Sequence, residues 1–122
     1  MITESLTAKA VQDYVSSLCS SVGWNGQAIA VRFSSEIDLV NHVLSPEPTI
    51  MVSHSFLQMG KRETIKEAVN ETLCLILAKL FFKKPKVVVG DTEWRYFAFK
   101  TGLLKSKSNQ EFNALELLVT DW

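Results

Sequence analysis

The sequence predicts an α/β fold of the α+β kind: a single mixed sheet of about five strands, an N-terminal helix, one long buried helix and a C-terminal β-hairpin. Three observations predict it. Residues 64–82 carry a dense apolar stripe at helical spacing. Several short runs, such as 27–33 and 49–54, alternate apolar and small or polar residues as half-buried strands do. Glycine and proline punctuate the boundaries between them.

Each element follows in order. Val11, Tyr14, Val15, Leu18 and Val22 recur at three- and four-residue steps, which predicts a helix over 4–22. Thr3 or Ser5 caps its start, and Gly23 stops it because a left-handed residue is cheapest as glycine. Residues 27–33 read as a strand with Ile29, Val31 and Phe33 on one face and Ala28 and Ala30 on the other. Ser35 and Asp38 suggest a capped short helix over 36–44, ended by Pro46 and Pro48. Residues 49–54 form a second strand. Thr64 and Glu67 make a capping box for the long helix, 64–82, whose apolar surface spreads almost all round after Cys74 and suggests contacts beyond its own domain. Lys83, Lys84 and Pro85 close it.

A third strand is expected at 86–89 and a fourth at 93–104. Residues 108–122 fit either a strand in hairpin with the fourth or a helix capped by Ser108 and Glu111; the hairpin is the reading adopted. With 122 residues, 47% of them hydrophobic and 21% charged, the chain is long and apolar enough for one self-sufficient core over 1–122.

Composition also bounds the function. The formal net charge is zero, so no global field steers a polyanion toward the molecule, and self-repulsion is weak. Two cysteines, Cys19 and Cys74, are too few for a disulfide scaffold and read as reduced thiols packed on apolar faces. Residues 1–4 show no secretory pattern, and the densest apolar run, 73–82, contains Lys79 and is too short to span a bilayer. The expectation is a protein made in the cytoplasm, with no membrane partner.

Catalytic constellations do not stand out. The glycines at 23, 26, 60, 90 and 102 match neither a dinucleotide fingerprint nor a phosphate loop. His42 and His54 lack a second ligand at metal-binding spacing. Ser53, His54 and Ser55 are sequence neighbours, which on a strand point to opposite faces and do not form a serine–histidine pair. Acidic pairs such as Asp91 with Glu93 sit where turns and helix starts want them. The chain therefore reads as having no enzymatic activity, no cofactor and no metal; only a pocket formed in three dimensions, lined by His54 and a carboxylate, would change that.

Charge is unevenly spread. Residues 79–107 hold eight basic side chains against Asp91 and Glu93. Lys83, Lys84, Lys86, Arg95, Lys100, Lys105 and Lys107 are the candidate interaction surface. Phe81, Phe82, Trp94, Tyr96, Phe97 and Phe99 interleave with them. Exposed, such aromatics would stack on single-stranded nucleic acid; buried, they would be core with a solvated basic rim.

The first functional reading is a non-enzymatic structural or assembly subunit, homo-oligomeric or bound to other structural proteins. In size and order of elements, across most of the chain, it resembles the small tail-completion or tail-terminator proteins of tailed phages. That resemblance implies a compact α/β subunit with an N-terminal helix and a long terminal hairpin, forming a ring at the tail junction of a virion. The helix read over 36–44 departs from that pattern. The alternatives are a nucleic-acid-binding module using 79–107 and a small inhibitory or immunity-type protein that occupies a partner's site.

Overall fold

The computed structural model describes residues 7–36 and 39–105. Helix α1 (Ala8–Ser21) is followed by strands β1 (Ala30–Ser34), β2 (Val40–Val43) and β3 (Thr49–Ser53). Three helices complete the described chain: α2 (His54–Met59), α3 (Arg62–Phe82) and α4 (Thr92–Lys100). The architecture is α+β. The strand order is β1-β3-β2, with β1 parallel and β2 antiparallel to the central β3.

Register divides the sheet into two faces. Val31, Phe33, Val40, His42, Ile50 and Val52 share one face, on which α1 and α3 pack. Ile50 and Val52 are completely buried there against Val11, Val15, Ile65, Val69, Leu73 and Ile76. At roughly 1.5–3 kcal/mol per buried large apolar side chain, this layer supplies a large part of the driving force for folding. Helix α3 is also buried on its far side, because α4 packs on it with Trp94, Phe97 and Ala98. The spread of apolar surface past Cys74 is thus met in part within the chain by a second layer, with Leu75, Leu80, Phe81 and Phe82 left half-buried.

Local chemistry sets the boundaries. Thr7 caps α1 by accepting from the Ala10 N–H, in place of Thr3 or Ser5, and Gly23 ends it at φ +74°. Trp24 folds over Gly26, where a Cβ would overlap its ring, and donates from Nε1 to the Gln27 carbonyl at 2.9 Å. Lys61 takes the N-cap position of α3 with no side-chain bond, so Thr64 and Glu67 lie inside the helix and form no capping box. Lys83 ends α3 in the left-handed region at φ 55°.

Four expectations are corrected. Residues 40–43 are a strand where a helix was expected over 36–44: Ser34 Oγ accepts from the Glu36 N–H and makes a turn, after which Val40 and His42 alternate inward. Residues 54–59 are helical because Ser53 Oγ accepts from the Phe56 N–H at 3.3 Å and terminates the strand. Residues 86–89 form no strand: the Val88 N–H is taken by Asp91 Oδ2 and the Asp91 N–H by the Val88 carbonyl, which closes a turn. Residues 92–100 are a helix, so the hairpin lacks its first limb, and the sheet has three strands among the described residues, not five. Its other limb, 108–122, falls outside the described residues.

Candidate functional site

The basic residues read from the sequence do not form one continuous patch. Lys83, Lys84 and Lys86 are exposed together on the turn from α3 into α4. Lys84 donates to Glu93 Oε2 at 2.5 Å, and that bond holds the Glu93 carboxyl below its usual range. Arg95 is half-buried on α4. Lys100, in the last turn of α4, lies over the Tyr96 ring at 5.5 Å. Lys105 lines a cleft beside α1 and α3. Lys107 is outside the described residues.

The aromatics that interleave with these lysines are largely core. Trp94, Tyr96 and Phe97 are buried, and Phe81 and Phe82 pack edge-on to Phe97 at 6.1 Å. Trp94 Nε1 donates to the Glu71 carbonyl at 3.1 Å. The basic rim therefore surrounds an aromatic cluster that holds α4 to α3.

Two clefts among the described residues bear on the candidate site. One, of about 330 Å³, is lined by Gln12, Cys19, Trp24 and Ile29 among others. The other, of about 310 Å³, lies between Tyr14, Glu63, Lys66, Glu67 and Lys105. Under this second cleft runs a buried polar chain. Asn70 bonds the Tyr14 side chain, Cys74 Sγ donates to Asn70 Oδ1 at 3.4 Å, and Thr101 Oγ1 is 3.5 Å from the same sulfur. Burial pushes the Cys74 thiol up to about 12 and the half-buried Cys19 thiol to about 11, so neither is poised as a nucleophile.

Neither cleft includes a histidine. His42 Nε2 meets Lys79 Nζ at 3.0 Å; burial and then the Lys79 charge lower its pKa, so the neutral ring accepts from the ammonium. His54 is exposed against Phe33, and Ser53 is spent on capping α2. Among the described residues no three His, Cys, Asp or Glu side chains converge as a metal site, and no helix is long and apolar enough to cross a membrane.

The surface that sequence reasoning missed is a mixed sheet face with exposed apolar side chains on it. This second face carries Ala30, Arg32, Ser34, Asn41, Val43, Thr49, Met51 and Ser53, and turns away from α1 and α3. Leu39 extends its ladder by accepting from the Ser53 N–H at 2.8 Å. Leu39 is 57% exposed and Val43 45%. On the α3–α4 turn Val88 is 63% exposed and Val89 46%. These residues were assigned to a helix and a strand that do not exist; Val40 and Val43, three apart with two polar residues between them, gave no period-two signal for the first pair. Compared with protein-family models, curated proteins and solved structures, the chain finds no match.

Proposed function

We propose that the chain is a non-enzymatic structural or assembly subunit that works through protein–protein contact. The observation that carries this reading is the outward sheet face, where Val43 on β2 and Leu39 just before it stand exposed beside half-buried Met51. Large apolar side chains grouped on one surface mark contact sites more often than scattered ones do. Zero net charge favours association further. The finer form of the reading is a ring subunit at a virion tail junction, made in the cytoplasm and similar to tail-terminator proteins. It draws on the N-terminal helix, the small sheet and the long helix, and loses the support of the hairpin. Light scattering at low and moderate salt tests it: a discrete oligomer supports self-assembly, and a monomer at both salts removes it.

A second reading, nucleic-acid binding, has one specific observation in its favour, the exposed Lys83, Lys84 and Lys86 on one turn. Burial of Trp94, Tyr96 and Phe97 removes the stacking platform that a single strand would use, leaving phosphate contacts alone. Salt-sensitive binding that weakens in the Lys83→Glu, Lys86→Glu double variant supports it; no binding at low salt overturns it.

A further inference from the structure

The geometry points to head-to-tail self-association, in which the valine-tipped α3–α4 turn of one copy docks on the outward sheet face of the next. This inference rests on the assembly reading above and names its two surfaces and its partner, a second copy of this chain.

The exposed large apolar side chains of the described residues fall into two pairs, Leu39 with Val43 and Val88 with Val89. The pairs lie on different elements: Leu39 and Val43 on the sheet face that turns away from α1 and α3, Val88 and Val89 on the turn joining α3 to α4. Two different patches suit a heterologous contact, which propagates or closes into a ring; a two-fold dimer needs only one self-complementary patch.

The turn is built to present its tip. Val87 is buried and anchors it, while the reciprocal bonds between Val88 and Asp91 fix the backbone on either side of the exposed valines. A fixed tip loses little freedom on docking. Charge agrees with the pairing. Lys83 and Lys86 stand exposed near the tip, and Lys84 is engaged by Glu93. On the sheet face, Arg32 is neutralised by Glu47 at 2.9 Å, and Glu36 is exposed just past β1. The lysines of one copy therefore approach a face whose cation is paired and whose rim carries a carboxylate.

Side chains occupy an outward backbone N–H on each sheet edge, which disfavours the competing mode, strand addition. In β1 the Ala30 N–H bonds the Pro48 carbonyl, so the Val31 N–H faces the edge, where Gln12 Oε1 takes it at 3.2 Å. In β2 the His42 N–H is taken by Asn41 Oδ1 at 2.7 Å. A donor covered in this way pairs less readily with another chain, which favours the face over the edge.

Two double variants of exposed residues test the inference by light scattering, with circular dichroism to verify that each folds. The wild-type chain is expected to form a discrete oligomer. Val88→Asp with Val89→Asp, and separately Leu39→Asp with Val43→Asp, are each expected to reduce it to monomer. Mixed at tenfold higher concentration, the two are expected to give a one-to-one heterodimer, since each retains the surface the other lacks. An oligomeric wild type whose mass survives either double variant overturns the head-to-tail pairing and leaves the assembly reading standing. Two monomeric variants that yield no heterodimer overturn it as well. A monomeric wild type overturns the head-to-tail pairing and self-assembly with it, and leaves contact with a different protein as the assembly reading.

Discussion

The Gln12 side-chain amide on α1 accepts a hydrogen bond from the Val31 backbone N–H on β1, at 3.2 Å. This one contact ties the first helix to the first strand and satisfies a donor that the sheet leaves unused. A partly buried donor stranded without a partner costs about 1–3 kcal/mol. Replacing Gln12 with Leu keeps bulk and removes the acceptor. The expected outcome is a loss of about 1–2 kcal/mol in urea-induced unfolding. An unchanged midpoint would mean that water replaces the amide freely.

A second expectation concerns the junction of α3 and α4. Phe97 is fully buried and meets Phe81, Phe82 and Tyr96 edge-on. Phe97→Ala opens a cavity in the second layer and is expected to cost about 3–5 kcal/mol. Phe99, half-buried two residues further on, provides the control: Phe99→Ala should cost clearly less. Equal losses in thermal unfolding would contradict the helical assignment of this segment, since a strand places 97 and 99 on the same face.

That helix shows where the sequence was legible and where it was not. The long helix was read to within two residues of its start, because nineteen residues of one period outweigh local ambiguity. The strands around 30 and 50 were also legible, from Ile50 and Val52 alternating with polar or flexible neighbours. Residues 92–100 were not, because Trp94, Tyr96 and Ala98 fit a two-residue period as well as Trp94, Phe97 and Ala98 fit a helical one. The termini held the deciding signals: Glu93 in the first turn, Lys100 in the last and Gly102 at φ +86° beyond it. In the same way Asn41 and His42 between two valines concealed an edge strand too short for periodicity to resolve. The basic residues were found, but their division between the α3–α4 turn and the Lys105 cleft depended on a helix that had been read as a strand.

The two thiols are expected to differ in reactivity. Cys74 lies in the core, bonded to Asn70 and close to Thr101, whereas Cys19 is half-buried and borders an open cleft. Alkylation of the folded protein at pH 8 should label Cys19 slowly and leave Cys74 unlabelled until denaturant is added, when both react. Rapid labelling of Cys74 under native conditions would show that α4 detaches from α3 far more readily than its buried aromatics allow.

Stability should fall in two separate steps on acidification. His42 has a folded pKa below its ordinary value of 6.5, from burial first and the Lys79 charge second. Above 6.5 the ring is neutral in both states, and no stability is lost. Below it the unfolded chain binds the proton first, so stability declines until the pH passes the folded pKa. Glu93 has a folded pKa below its ordinary value of 4.5, chiefly through the hydrogen bond from Lys84. Its contribution is complete above 4.5 and is lost as the pH falls through the lowered value. His42→Gln keeps an acceptor for Lys79 without titrating and should remove the upper step while leaving the lower one. Glu93→Gln should do the reverse. Unfolding midpoints measured from pH 8 to pH 3 for the three proteins separate the steps; an upper step that persists in His42→Gln would assign it to another group.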